Sequence, residues 1–564
     1  MKGFQGVKAR LDGFWILAVL ALSVYSSGWV AEYVTWDDPV LLVENPLLEL
    51  SFFKALGEFF RGFYHGDYMP LTLLSYWAEV AVFGKNPSVS HGLNLLLHLG
   101  SAWVLFEILK RLRLSQEVSL WVVLFFLLHP LQVESVMWVS ERKGLLSTWF
   151  LLLAVSFSVS LNPAQENQKG LGDSVRPNST DSLTVRQMGY LGCFIASLLC
   201  KATGVLIPAV LAFWDYRGLG GQGRIGWRDL LKKHALALGA SGIIITIRIL
   251  AYGNQVSHFS QALWSWDRLL SLPLQGISIL GFYLQSFVFP HSLSIIYPEF
   301  RMDLQFWIRS VFFLCGLAWV GFEVRKKEPG LVLSFFLFSF CCLLPVLQLI
   351  PRINFVNDRY FYLPMIGLSA VLGLRLEAIL GQKKLRLLMV GVALIFVPLS
   401  FFRALVWGDD LSLWGNTVSV APWSALAHNN LGITYESQKK MREAQREYEI
   451  AAELGKKDGL SHLAFHNLGV LHSSDPDLFD LPRAIEEYQK SIEFSKRTED
   501  TFATRMNLAA LYAQLGKKKE SLEILSRLEK EISSSTQDKK YLQILMQTQV
   551  LQEKIRNLPF SERF

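Results

Sequence analysis

The chain has 564 residues, 51% of them hydrophobic, and a positive mean hydropathy. The apolar residues gather in blocks such as Phe14–Val30, Val118–Leu128 and Leu331–Leu349; this excludes a soluble protein of mixed composition over most of the length and points to helices crossing a hydrocarbon core of roughly 30 Å. The net charge of +7 lies in short basic clusters beside those blocks, the placement of a positive-inside bias, which sets nucleic-acid binding aside.

The start carries Lys2, Lys8 and Arg10 without a small-residue cleavage signal, so an uncleaved first span is expected near 13–31. Ten further spans are expected near 91–109, 117–129, 145–161, 188–200, 203–215, 234–252, 307–323, 331–350, 362–380 and 386–405. Four basic clusters orient them: Lys110, Arg111 and Arg113; Arg217, Arg224, Arg228, Lys232 and Lys233; Arg325, Lys326 and Lys327; Lys383, Lys384 and Arg386. All four fall on the cytoplasmic side of an N-in topology, provided Leu269–Phe289 does not cross. Pro273, Gln275, Gly276, Gly281 and Gln285 interrupt that segment, which is expected to lie along the outer surface or re-enter. Everything after Trp407 is then external.

The first external loop, 32–90, is acidic, and Ser51–Phe60 and Leu71–Phe83 within it have the spacing of surface-lying helices. Residues 162–187 form a polar cytoplasmic loop, where the acceptor-like Asn178-Ser179-Thr180 would go unused. All five cysteines lie in expected spans, so no disulfide framework is implied.

After Trp423 the sequence repeats itself. Leu431-Gly432, Tyr435, Ala444, Tyr448 and Ala451 match the large–small–large pattern of a helix pair of about 34 residues. The pattern recurs with Leu468-Gly469, His472, Ala484, Tyr488 and Ser491, and a degenerate copy has Leu508-Ala509, Tyr512, Ser521, Leu525 and Leu528. The fold class is thus all-α: a polytopic bundle over 1–406, then an external tetratricopeptide-type solenoid over 407–564. Its repeats fall near 424–457, 461–497 and 501–534, with Leu411–Val420 and Lys539–Arg556 as caps. A solenoid of this kind either holds a peptide or protein or acts as a spacer.

Four clusters on the external face carry chemistry. Thr35-Trp36-Asp37-Asp38-Pro39 follows the first span; one Asp suits a general base, and an N-cap and turn suit the pair equally. His129-Pro130 through Glu134, then Glu141-Arg142-Lys143, place a carboxylate in an apolar run beside two cations that either pair with it or bind a phosphate. Lys201 stands between two spans, and Asp358-Arg359 with Arg352 nearby opens the tenth. This convergence of acids and bases suits a lipid-linked anionic substrate. His91, Asn94 and His98 share one helix face and read as a polar seam, without the ligand spacing of a transition-metal site.

These motifs, with Pro70-Leu71-Thr72, Asn94–His98, Glu134-Ser135-Val136, Asp358-Arg359-Tyr360 and Tyr362-Leu363-Pro364, resemble the transmembrane and tetratricopeptide-repeat O-mannosyltransferases and their bacterial relatives. That resemblance implies the C-type glycosyltransferase superfamily, whose members move a sugar from a polyprenyl-phosphate donor to an acceptor outside the cytoplasm. It implies Asp38 or Asp37 as catalytic base, with Glu134 in support. Arg142, Lys143, Lys201 and Arg359 would meet the donor phosphate, with Asp358 and His129 in the substrate site. The resemblance further implies an inverting displacement onto Ser or Thr of a protein held by the repeats, with no resident metal assigned and a divalent cation left open. A bacterial inner membrane with periplasmic repeats is expected, or the endoplasmic reticulum with lumenal repeats. Met69 stands where the family usually has Arg, and Gly144 where it has Asp. The competing reading is a non-catalytic scaffold that recruits envelope proteins through its repeats.

Overall fold

The computed structural model describes residues 2–64, 66–160, 179–218, 226–255, 266–298, 302–325, 330–348, 355–456, 459–534 and 539–557. Arg224, Lys326, Lys327, Arg352 and the stretch 162–178 with Asn178 lie outside them. Regular structure among the described residues is entirely helical. The chain divides into two compact units, Met1–Asp409 and Asp410–Phe564. Trp407, expected to open the second, is buried in the first.

The first unit contains α1 (Lys2–Val24), α2 (Phe52–Arg61), α3 (Pro70–Phe83), α4 (Pro87–Arg111), α5 (Gln116–Leu128), α6 (Val133–Met137), α7 (Arg142–Ser160) and α8 (Ser179–Cys200). It continues through α9 (Ile207–Arg217), α10 (Trp227–Gln255), α11 (Trp266–Val288), α12 (Leu304–Val324), α13 (Gly330–Leu343), α14 (Pro364–Leu380) and α15 (Gln382–Val406). Every segment expected as a span contains a helix. Five stretches, Pro87–Arg111, Val139–Val159, Trp227–Ile249, Leu304–Glu323 and Gln382–Val406, are long and apolar enough to cross a bilayer among the described residues. Gln116–Leu128 with Pro130–Met137, bent by 53°, passes the same test as a pair. The chain is a multi-pass membrane protein.

Local chemistry sets the helix ends. Asn86 accepts from Val89 N with Pro87 in the first turn of α4, and Ser115 accepts from Val118 N to cap α5. α5 stops at Leu128 because Pro130 cannot continue the ladder. Gly84, at φ 69°, takes the left-handed turn between α3 and α4.

The loop 32–69 has its own core, in which Leu41, Leu42, Phe59 and Met69 pack on Leu73 and Tyr76 of α3. α2 buries Ala55 and Phe59 and turns Phe53 outward, 83% exposed, as a surface-lying helix would. α3 departs from that expectation at one residue. Glu79, grouped from sequence with the acidic loop surface, is only 3% exposed. The interrupted segment Leu269–Phe289 falls in α11 up to Val288, a continuous helix that packs on α12.

In the second unit, α16 (Asp410–Val420) packs on α17 (Ala425–Ser437), which pairs with α18 (Met441–Leu454). The pairs α19 (Ser461–Ser474) with α20 (Leu481–Phe494) and α21 (Phe502–Gln514) with α22 (Lys518–Ser534) follow, and α23 (Lys539–Arg556) packs on α22. Small residues let each pair close. A Cβ on Gly432 would lie 2.5 Å from the Tyr448 ring, and one on Gly469 would lie 2.6 Å from Tyr488. Leu431 and Leu468 are buried beside them. Leu468→Asp puts an unpaired carboxylate in this core and is expected to cost more than about 3 kcal/mol. Limited proteolysis in membranes should show loss of the resistant second unit with the first intact; unchanged resistance would remove the paired-helix packing.

Candidate active site

The Asp37–Asp38 turn is carried out of the first span into a fixed place. Asp38, 1% exposed, accepts from Ser140 N at 2.9 Å and Ser140 Oγ at 2.5 Å through Oδ1, and from Val34 N at 3.1 Å through Oδ2. Those three donors pin the turn to the segment between α6 and α7. Burial pushes the Asp38 carboxyl up to about 6; the Ser140 and Val34 bonds pull it down and the Asp37 charge raises it. Asp37 is half-buried beside it. The pair is therefore divided, Asp38 being the anchor and Asp37 the more accessible acid.

Ser140 delivers that turn to a buried cluster of alternating charge. Arg359 donates through one terminal nitrogen to Glu134 Oε1 at 2.5 Å and to Asn357 Oδ1 at 3.1 Å. Its Nε lies 3.9 Å from Glu141 Oε2. Lys201 Nζ donates to Glu141 Oε1, and burial pulls the Lys201 ammonium down while Glu141 raises it. The Trp138 ring takes the Arg359 guanidinium at 4.9 Å and the Lys143 ammonium at 5.9 Å, and stacks on Trp407 at 6.0 Å. Lys143 is half-buried and makes no ion pair among the described residues. Buried atoms without a hydrogen-bond partner there include Glu134 Oε2, Glu141 Oε2 and the Trp138 and Trp407 Nε1 groups.

Two residues expected to bind substrate, Arg142 and His129, make close contacts within the protein. Arg142, 1% exposed, pairs with Glu79, donates from Nε to Asn94 Oδ1 at 3.0 Å and from its other terminal nitrogen to Ser90 O at 3.1 Å. It rivets α3, α4 and α7, and all three nitrogens are engaged. His129 accepts from Leu131 N at 3.2 Å through Nδ1 and meets Phe287 O at 3.1 Å through Nε2, tying the end of α5 to α11. Asp358 is buried too: Tyr297 donates to it at 2.5 Å and Arg403 stands 3.4 Å away. Burial, then the Glu134 charge, pushes its carboxyl up. The His91–Asn94–His98 face is the polar seam expected: His98 Nδ1 lies 2.7 Å from Tyr362 Oη, and Asn94 donates to Trp138 O at 3.2 Å.

Sequence reasoning missed Glu79, Ser140, Trp138 and Arg403. The signal for Arg403 was a single cation in the apolar stretch 387–406 of α15; for the other three the sequence carried none. The two departures noted at Met69 and Gly144 also have physical accounts. Met69 is 2% exposed inside the loop core, where a cation would lack water. A Cβ on Gly144 would fall on Glu141 Oε1, so the Glu141 carboxylate fills the space a side chain at 144 would take. An acid is present there, one helical turn earlier. Gly144→Ala should displace Glu141 from Lys201 and cost about 1–3 kcal/mol in detergent unfolding. In a Glu141→Ala background the same change should cost almost nothing. Equal costs in both backgrounds would dissociate Gly144 from the pair.

The fold and this cluster define a helical membrane protein with an acidic turn held by Ser140, the residue before Glu141 of a buried cluster of carboxylates and cations. No family model matches the chain. It is similar to protein O-mannosyl-transferase TMTC4 of Homo sapiens, 22% identical over 505 residues that cover 78% of this chain and 66% of that protein. To protein O-mannosyl-transferase TMTC1 of Homo sapiens it is 23% identical, covering 81% and 56%, and to protein O-mannosyl-transferase F38B6.6 of Caenorhabditis elegans 22%, covering 80% and 63%. The chain thus spans less than two thirds of the length of these relatives. The resemblance drawn from the motifs is met by them. An Archaeoglobus fulgidus oligosaccharyltransferase tethered with an acceptor peptide aligns at 13% identity with a TM-score of 0.38, over 87% of this chain and 59% of that one.

Proposed function

We propose that the chain is an inverting membrane glycosyltransferase. It moves a mannose-like sugar from a polyprenyl-phosphate donor to a Ser or Thr hydroxyl of a protein held by the second unit, read as tetratricopeptide repeats. The observation that carries this is the Asp38–Ser140 anchor, because it ties the Asp37–Asp38 turn to the residue that precedes Glu141 of the Glu134–Arg359–Glu141–Lys201 cluster. Asp37 takes the hydroxyl proton as the acceptor oxygen bonds to the anomeric carbon, and the bond from that carbon to the phosphate oxygen breaks. The departing phosphate gains negative charge. Lys143 meets it, with Arg359 and Lys201 lending field from their carboxylate partners. Asp38, Arg142 and His129 hold the site without touching substrate, Glu134 orients Arg359, and Asp358 fixes the loop from which Arg359 projects. The names of the relatives support the sugar and the protein acceptor.

The test is transfer of labelled mannose from polyprenyl-phosphate mannose to a Ser/Thr peptide by the purified chain in lipid vesicles. Product retained by Lys143→Ala at the wild-type rate and donor affinity would overturn the phosphate assignment, and no transfer at all would favour the scaffold reading. The eleven-crossing, N-in topology belongs to the same proposal, with the repeats in the periplasm of an inner membrane or the lumen of the endoplasmic reticulum. Reporter fusions at Gly172 and Ser474 should label opposite sides; labels on the same side would sink that topology.

A further inference from the structure

Trp407 is the residue on which α15 ends, and it takes no part in the chemistry proposed above. Its indole is 1% exposed and stacks on Trp138, with ring centroids 6.0 Å apart and planes inclined by 28°. That spacing is within the range of offset-stacked aromatic pairs. Trp138, also 1% exposed, is the ring that takes Arg359 at 4.9 Å and Lys143 at 5.9 Å.

The main chain of Trp138 is pinned by hydrogen bonds. Its N donates to Glu134 O at 3.1 Å, and its O accepts from Glu141 N at 3.1 Å and Asn94 Nδ2 at 3.2 Å. Its ring is held differently. The Trp138 Nε1 group has no hydrogen-bond partner, and neither has that of Trp407. Ring orientation therefore rests on packing and on the attraction of cations to the π face. A cation must lie within about 6 Å of the ring centroid to gain from that attraction, and Lys143, at 5.9 Å, is at the limit. A small rotation of the Trp138 ring would release it, and the Trp407 ring packed on Trp138 opposes that rotation. A second set of contacts leads from Trp407 to Arg359. The Arg403 guanidinium, one helical turn earlier, lies 5.9 Å from the Trp407 ring and 3.4 Å from Asp358 Oδ2. Asp358 immediately precedes Arg359 in the chain.

We propose that Trp407 is a positioning residue for the phosphate-binding cations: it braces the Trp138 ring so that Arg359 and Lys143 are held together where the donor phosphate is met. Trp407 acts through Trp138 and through the Arg403–Asp358 contact, and touches no reacting atom. The brace works by pre-organisation. Cations already held in place lose less freedom when the phosphate arrives, so the donor binds more tightly without a new contact. The proposal deepens the phosphate assignment above and rests on it.

The test uses the full chain in lipid nanodiscs and a fluorescent short-chain polyprenyl phosphate, with affinity read by anisotropy. Trp407→Leu, which keeps bulk and removes the ring, should weaken binding about 5- to 30-fold, the loss expected when two desolvated cation–π contacts loosen. Trp407→Phe, which keeps a stacking face, should stay within about twofold of wild type. In a Trp138→Leu background, Trp407→Leu should add less than about twofold, because the ring it braces is gone. Trp227→Ala, at an exposed position on α10, should leave binding unchanged. A packing role alone would lower thermal stability and the number of sites titrated, while each folded molecule kept its affinity. Wild-type affinity in Trp407→Leu, equal losses in Trp407→Leu and Trp407→Phe, or the full loss persisting in the Trp138→Leu background would overturn the proposal. No binding of the probe by the wild-type chain would overturn it together with the phosphate assignment. Binding with this dependence on Trp407 but no sugar transfer would defeat the enzyme reading alone. Transfer by Trp407→Leu with a wild-type donor KM would defeat the Trp407 brace alone.

Discussion

Asp37→Asn is expected to lower sugar transfer by about 100- to 10,000-fold, the usual loss when a general base becomes an amide of the same shape. Donor binding should stay within about threefold, because the phosphate is met by Lys143 and the cations behind it and not by the base. Asp38→Asn should behave differently. Its carboxylate receives Ser140 N, Ser140 Oγ and Val34 N, and an amide can satisfy only part of that donor set. The variant should lower thermal stability together with activity, and residual activity should fall with the folded fraction. Single-turnover transfer in vesicles, beside thermal unfolding, separates the two. Wild-type transfer by Asp37→Asn with a stable but inactive Asp38→Asn would exchange their roles. Wild-type rates in both would make the loop structural and leave the scaffold reading standing.

Arg142→Met should destabilise the first unit by about 3–5 kcal/mol, because it leaves the Glu79 carboxylate buried without its cation. Ser90 Oγ would still donate to that carboxylate. The double variant Arg142→Met/Glu79→Leu should recover most of the loss, since replacing a whole buried pair by apolar groups is far cheaper than orphaning one member. Denaturant unfolding in detergent reads both. A cost below about 1 kcal/mol for the single change would put the pair in the class of weak surface bridges and return Arg142 to the phosphate candidates.

Much of the architecture was legible because membrane and repeat constraints are written locally. An apolar run of sufficient length states its own helix, and Leu431-Gly432 beside Ala444 and Tyr448 states a close helix pair. The clusters around Asp37, Glu134, Lys201 and Arg359 were legible as well, since ionisable residues at the ends of apolar segments stand out against them. Their partners were not. Which acid meets which base depends on helices separated by up to 225 residues, as for Arg359 and Glu134, and no local pattern encodes that.

The sequence by itself determined an all-helical chain with apolar segments and a repetitive charged end, because periodicity and block composition are properties of contiguous residues. Only the tertiary structure decided that Asp38 is an anchor on Ser140 and that Arg142 belongs to Glu79. It alone decided that Glu141 stands where a side chain at 144 would be, and that Trp138 carries both Arg359 and Lys143. The physical reason is desolvation. A buried charge must find a partner in three dimensions, and the choice among several acids and bases of equal sequence standing is made by which of them the helix packing brings within hydrogen-bond reach.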